Sequence, residues 1–366
     1  MTGRLGVGVT EVRTAVYTVP TPEPEADGTL AWSATTAVTV EVSAGGCTGL
    51  GWSYTSPATA GIVDEHLAGV VRGRDAGDTA GSWEAMVRAC RNLGRGGLVS
   101  HAIAAVDIAL WDLAARLLDV ALVALLGASR TSVAVYGSGG FTTQSDAELR
   151  AQLEGWLGLG CTAVKIKVGE SWGARAERDL ARARLAREVV GDTVELMVDA
   201  NGGYRRGQAR RLGRRYDDLG VTWFEEPVSS DDPAGLAVVR DALRCDVAAG
   251  EYVHSLAEAA RLLPAVDCLQ LDVTRCAGYT EWRRCAAFAA AAGLDVSAHC
   301  APSLHAPIAA ATPSLRHVEL FADHARLEPM LFTGVPEVRG GRLHLDPDAP
   351  GHGMRLSAQA QSWRTA

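Results

Sequence analysis

Only two lysines stand in this 366-residue chain, Lys165 and Lys167, in the run Ala163-Val164-Lys165-Ile166-Lys167-Val168, and the other 33 of its 35 Lys/Arg side chains are arginine. A guanidinium keeps its proton in any protein setting, whereas an amine whose surroundings lower its pKa can give one up near neutrality. Lysine kept in one place points to proton chemistry there. Further along, single polar residues close a series of short apolar runs: Asp199 with Asn201, then Glu225, Glu251, Asp272, His299 and Glu319. From Lys165 to Asp199, Glu225, Glu251, Asp272 and His299 the intervals are 34, 26, 26, 21 and 27 residues, each about the length of one strand and its return helix.

Three carboxylates converging from adjacent strands, Asp199, Glu225 and Glu251, repel one another and need a cation to remain ionised together. Oxygen-only ligands favour Mg²⁺, with Mn²⁺ able to substitute. Lys165 and Lys167, two apart on a strand, point the same way. Their repulsion and the nearby metal are expected to lower the pKa of at least one and make a neutral amine available as a base. On the other side, His299 is placed to share a ring N–H with Asp272, which fixes its tautomer and supports the imidazolium. Arg275 reads as a structural ion pair.

These groups need a frame that brings strand ends to one mouth. Apolar strands are expected at 132–136, 162–168, 194–199, 221–225, 246–250, 268–272, 294–299 and about 317–321, separated by arginine-rich or alanine-rich helices. Eight such units close an α/β barrel of the (β/α)₈ type, whose functional side chains cluster at the C-terminal strand ends. Ahead of it, Thr36–Val42 and Leu50–Tyr54 flank Ala44-Gly45-Gly46 as a hairpin, and a helical pattern runs from Ser100. The organisation read from this is an α+β module over 1–127, the barrel over 131–322 and a turn-rich tail over 323–366. Apolar residues at 48% and charged ones at 21% suit a globular core, and a net charge of −8 without a basic run argues against nucleic acid as a partner. Residues 1–20 lack a signal-peptide pattern and no apolar run reaches membrane-spanning length, so a cytoplasmic location is expected and no membrane partner. The eight cysteines show no C-x-x-C pair and read as reduced core thiols.

Taken together, Val164-Lys165-Ile166-Lys167, Val198-Asp199-Ala200-Asn201-Gly202, Phe224-Glu225-Glu226-Pro227, Ala249-Gly250-Glu251, Asp272-Val273-Thr274-Arg275 and Ser297-Ala298-His299 resemble the enolase superfamily, in its mandelate racemase branch. The resemblance implies a capping domain in the first 127 residues and a C-terminal segment, with Pro350-Gly351-His352-Gly353, that returns to it. It further implies Mg²⁺ on Asp199, Glu225 and Glu251, Lys167 and the His299–Asp272 dyad as the acid/base pair, and Glu319 assisting the substrate carboxylate, with Lys165 also counted as catalytic. A symmetric homo-oligomer is implied as well. No lysine follows Lys167, which disfavours the branches that need a catalytic lysine on a later strand. Arg275-Cys276-Ala277-Gly278 departs from a pattern that commonly has two glycines, so the backbone there is expected to sit differently.

The activity this implies is dehydration of a sugar-derived carboxylic acid by removal of the proton α to the carboxylate and loss of the β-hydroxyl. The alternative is a racemase or epimerase of a 2-hydroxy acid through the same enediolate, and a reading from another class is a catalytically silent barrel kept for binding. Substrate choice in such a family rests on two cap loops, placed here near 18–29 and 49–61, with Trp52, Ser53 and Tyr54 in the lid, and Tyr54 and Asn201 taken as substrate contacts.

Overall fold

A computed structural model describes residues 5–128 and 130–366. The first part is an antiparallel sheet of β1 (Glu11–Ala26), β2 (Ala31–Ala44) and β3 (Cys47–Tyr54), in that order. The sequence reading anticipated the hairpin of β2 and β3 but not β1, whose Pro20, Pro22 and Pro24 look like strand breakers. They are tolerated because β1 is the edge strand, where a missing N–H can face outward, and its register slips between Pro20 and Glu25.

Against this sheet lies the helix Leu98–Leu117, apolar nearly all round. Contrary to the sequence expectation, it is long and apolar enough to cross a bilayer by length and composition, but the sheet and the barrel bury most of it. Its approach to β3 depends on two glycines. A Cβ on Gly49 would sit 2.2 Å from the Ala109 carbonyl oxygen, and one on Gly51 2.2 Å from that of Ala105. Inside the helix, Asp112 accepts from the Leu50 N–H at 2.9 Å and from Arg116 Nε at 2.7 Å.

The barrel runs β4 (Ser132–Gly139), β5 (Ala163–Lys167), β6 (Glu195–Asp199), β7 (Val221–Glu225), β8 (Asp246–Ala249), β9 (Cys268–Leu271), β10 (Asp295–Ala298) and β11 (Leu315–Phe321). Each strand pairs in parallel with the next, and β11 pairs with β4 to close the ring. The interior is filled by Tyr136, Met197, Trp223, Ala248 and Cys268, a packed floor beneath the mouth. The eight cysteines are free thiols.

The tail is more ordered than a run of turns. It opens with a helix, Ala322–Leu331, and the hairpin Glu337–Arg339/Arg342–His344 adds an antiparallel strand to the foot of β4. His352 then returns to the cap, its N–H donating to Asp112 Oδ1 at 2.8 Å and its Nε2 lying 2.8 Å from the Leu50 carbonyl.

Because the helix backbone leaves no room at β3, Gly51→Ala is expected to lower the unfolding free energy by about 3 kcal/mol, the upper end for overpacked cores. Gly61→Ala, where a Cβ meets nothing within 4 Å, serves as the control and should cost nothing. Thermal unfolding of the two variants makes the comparison.

Candidate active site

Strand register sets the geometry at the mouth. Lys167 pairs with Asp199 across β5 and β6, and Asp199 with Glu225 across β6 and β7, so the three side chains start from one level. Glu251 follows β8 after Gly250, whose φ of 133° few other residues adopt and whose Cβ would lie 2.3 Å from the Gln270 carbonyl. The result is that carboxylate oxygens of Asp199, Glu225 and Glu251 all lie within 4.8 Å of one another, every one of them buried.

Lys165 points inward below them. Its Nζ donates to both oxygens of Glu225 at 2.7 and 2.8 Å and lies 2.8 Å from Glu319 Oε1, with the Tyr136 hydroxyl at 3.3 Å. Trp223 Nε1 donates to Glu225 Oε2 at 2.9 Å, and Glu319 Oε2 accepts from the Cys300 N–H at 2.7 Å. Across the mouth, His299 Nδ1 is 2.9 Å from Asp272 Oδ2, while Asp272 Oδ1 accepts from the N–H and hydroxyl of Thr274, both at 2.7 Å. His299 Nε2 faces Glu251 Oε2 at 3.5 Å and Glu319 Oε2 at 3.8 Å. Arg275 is indeed ion-paired, with Glu251 at 2.9 Å and 3.6 Å from Asp272, and this places it inside the site.

Charge within the cluster sets the protonation states. Burial works against the His299 imidazolium, but the Glu251 charge and the Asp272 hydrogen bond outweigh it and hold the ring above its usual value. Burial would likewise raise Asp272, yet its hydrogen bond to His299 keeps it well below the carboxylate range. The lysines differ from expectation. Lys167 donates to Asp199 Oδ2, and although burial and Lys165 both press for the neutral amine, the Asp199 carboxylate raises Lys167 above its ordinary value. Lys165 is raised too, since Glu225 and Glu319 overcome its burial. Repulsion between the lysines is outweighed because each has a carboxylate in contact.

Between mouth and cap lies a cavity of about 370 Å³, within the range of small-molecule sites, with Lys167, Asn201, Glu251, Asp272 and His299 on its barrel side. Asn201 sits at a φ of 45°, its N–H donating to Asp199 Oδ1 at 2.9 Å and its buried Oδ1 without a hydrogen bond. Tyr54 lines the cavity from the cap and donates to Glu328 at 3.2 Å. The lid differs from the sequence reading, because 18–26 and 49–54 are strands. Trp52 instead stacks on Phe332 at 4.0 Å, and Ser53 donates to the His101 and Thr274 carbonyls at 2.8 and 3.1 Å. The segments that reach the cavity are 27–36 and 54–57.

Residues that sequence reasoning missed include Tyr252, whose ring lies 5.1 Å from the Arg275 guanidinium, as well as Cys300 and His324. His324 stands five positions past Glu319, a spacing that could have drawn attention to it. Ala277 takes a φ of 63°, so a left-handed backbone persists where glycine would be at ease.

The donor set fits a hard divalent ion. Three buried carboxylates supply oxygen alone, and Glu251 Oε2 is buried without a hydrogen-bond partner. A carboxylate trio at the mouth of a parallel barrel, flanked by a lysine and a histidine–aspartate pair, is the constellation of a metal-dependent enzyme.

Comparison with known proteins agrees. Residues 148–360 match the enolase C-terminal domain-like family, and residues 10–127 the N-terminal domain of mandelate racemase/muconate lactonizing enzymes. The chain belongs to the mandelate racemase/muconate lactonizing enzyme family of the enolase superfamily. It is 33% identical over 326 residues to L-talarate/galactarate dehydratase of Salmonella typhimurium, covering 87% of this chain and 79% of that one. A structure of that enzyme with Mg and L-lyxarohydroxamate has a TM-score of 0.90 at 29% identity, over 98% of this chain and 93% of the other. With 3,6-anhydro-α-L-galactonate cycloisomerase of Streptomyces coelicolor the identity is 34% over 360 residues, 95% of this chain and 97% of the relative. A mandelate racemase/muconate lactonizing enzyme-like protein from Rubrobacter xylanophilus has a TM-score of 0.95 at 44% identity, covering 98% of this chain and all of the other. Mg²⁺ is the metal of this family.

Adding Mg²⁺ should therefore raise the thermal midpoint, because a ligand bound only by the folded state contributes about 2.7 kcal/mol at a hundredfold its Kd. Asp199→Asn, Glu225→Gln and Glu251→Gln should each remove most of that shift, and the exposed Glu84→Gln should keep it. Scanning fluorimetry with and without Mg²⁺ and with chelator tests this.

Proposed function

We propose that the protein dehydrates a sugar-derived carboxylic acid to a 2-keto-3-deoxy acid. The observation that carries this reading is that Lys167 and His299 line one cavity from nearly opposite strands, β5 and β10, with the carboxylate trio on β6 to β8 between them. Asp199, Glu225 and Glu251 would hold Mg²⁺. When bound, the ion supplies the positive field that makes a proton α to a carboxylate removable, as at other enolase-type sites. Everything else falls to the chain's own side chains.

In this reading Lys167, as the free amine, takes the C2 proton, and the electron pair spreads into the carboxylate as an enediolate. With Asp199 engaged by a cation, the support that Asp199 gives the ammonium weakens, and the amine becomes accessible. His299 then protonates the C3 hydroxyl, the C3–O bond breaks, and water leaves. The resulting enol gains a proton at C3 as its C2 hydroxyl gives one up, and becomes the keto acid. Glu319 assists the substrate carboxylate, Lys165 holds Glu225 and Glu319 from beneath, Asp272 holds the imidazolium in its tautomer, and Asn201 and Tyr54 contact the substrate.

Relatives that are a dehydratase and a cycloisomerase of sugar acids support the substrate class. A second reading, racemisation or epimerisation of a 2-hydroxy acid, is favoured by the opposed pair itself, which could pass a proton from one face of C2 to the other without losing any group.

Lys167→Ala and His299→Asn are each expected to lower kcat by about a thousandfold, within the range for one acid or base. Proton NMR in D₂O separates the readings: a keto product means dehydration, whereas deuterium at C2 without it means the second. Because His299 must act as imidazolium, dehydration should decline as pH rises through its raised pKa, which lies above the usual 6.5. Asp272→Asn takes away the negative charge behind the hydrogen bond that supports the cation, so the decline should move to lower pH in a pH–rate profile.

A further inference from the structure

The two sides of the cavity differ in chemistry. On the barrel side, Lys167 and Arg275 are the only permanent cations among the described residues that line it, and both are committed. Lys167 donates to Asp199, while Arg275 holds Glu251 at 2.9 Å and lies 3.6 Å from Asp272. The cap side presents Leu30, Trp32, Thr35, Tyr54 and Ser56, with one charged group, Asp27. An anion placed there would meet a carboxylate and hydroxyls with no cation to pair it, which is costly away from water.

Most hydroxyls on that side are already spoken for. Thr35 donates to Asp323, Thr36 pairs with Thr18 at 3.0 Å, Tyr54 donates to Glu328, and Thr55 pairs with His101 at 2.8 Å. His324 differs. Its Nδ1 accepts from the Ala301 N–H at 3.0 Å, which leaves the ring proton on Nε2 in the neutral form. Burial pushes its pKa down to about 4, so the neutral form prevails at pH 7. Tyr54 stacks on it at 3.7 Å and Phe321 meets it edge-on at 5.2 Å, so the ring cannot swing. With Nδ1 turned to the backbone, the edge left for the cavity is Nε2–H, a fixed donor without charge.

We propose that the site takes a polyhydroxy monocarboxylate, an aldonate, in preference to a dicarboxylic aldarate, and that His324 Nε2–H donates to one hydroxyl oxygen of its uncharged arm. This rests on the dehydratase reading and narrows its substrate. An arm bearing hydroxyls accepts from His324 Nε2–H and can exchange hydrogen bonds with the Ser56 hydroxyl, whereas a second carboxylate has no cation on the cap side to neutralise it.

The test compares kcat/KM for aldonates and for aldarates of matching configuration from C2 to C5. The aldonate should be preferred by at least about a hundredfold, the scale set by the cost of leaving a buried polar or charged group unsatisfied. Equal turnover, or faster turnover of an aldarate, overturns the inference while leaving the dehydratase reading intact. If no acid of either class loses water or exchanges its C2 proton in D₂O, the dehydratase reading fails and this one with it. His324→Asn keeps an acceptor for the Ala301 N–H but has no N–H at the reach of Nε2, and His324→Gln restores a donor at that reach. The Asn variant should lose about tenfold or more in kcat/KM for the best aldonate and nothing for one of its monodeoxy analogues, with partial recovery in Gln. The same loss for the parent and every deoxy analogue would make His324 a structural residue only and overturn its assigned part.

Discussion

The structure depends on how five buried carboxylates are kept together at one barrel mouth. Asp199, Glu225, Glu251, Asp272 and Glu319 face three permanent cations, Lys165, Lys167 and Arg275. The carboxylates are in excess even with the His299 imidazolium counted, the more so because Glu226 is buried beside them, and a divalent ion would reduce that deficit of positive charge. In a medium where like charges repel strongly, a cluster with that deficit is either partly protonated or occupied by a cation. Both tendencies show, for Glu225 is pushed up to about 8, with burial as the main cause, while Glu251 is held low by His299 and Arg275 despite its burial. Lys165 deserves the name of keystone, since it touches Glu225 and Glu319 and approaches Asp199 at 3.9 Å. An arginine in its place would bring a wider, planar head to a spot packed on Tyr136, which accounts for lysine here in a chain otherwise written in arginine.

That balance explains how much could be read from sequence. Barrel strands announce themselves because both faces are buried, giving short apolar runs at regular intervals, and the residue that ends each run is the one that meets the others. Pairing between those ends is another matter. Asp272 and His299 lie 27 residues apart and meet because β9 and β10 are adjacent, which a reader who already has the barrel can infer. Arg275 reaching Glu251, or Asp199 raising Lys167 against the repulsion of Lys165, depends on side-chain reach that no spacing encodes. The cap was harder for a local reason. The prolines of β1 disguise an edge strand as a loop, and once that strand is missed the lid is drawn too long at 18–29. Gly49 and Gly51 fall within the second loop placed at 49–61, but are contact points for a helix.

The cap also does more than close the cavity. Its side chains grip the segment that carries Asp272, Thr274 and Arg275. Ser53 donates to the Thr274 carbonyl, Ser100 to that of Arg275, and Trp83 Nε1 to that of Ala277 at 2.9 Å. Asp107 accepts from the Thr280 hydroxyl, and a Cβ on Gly278 would lie 2.4 Å from its carboxylate. Ala277 keeps its left-handed backbone between these grips. The lysine side of the mouth is instead set by barrel strands in register.

The two halves of the site are therefore positioned by different means. A shift of the cap on the barrel would leave Lys167, Asp199 and Glu225 in place and would disturb the dyad and Arg275 first. The tail follows the same logic, because His352 binds Asp112 and Leu50, the two groups that hold the cap helix to β3. A C-terminal segment far from the cavity in sequence thus bears on the acid half of the site through the helix it anchors. Substitutions in that segment should be felt in the positioning of His299 before they are felt at the carboxylates.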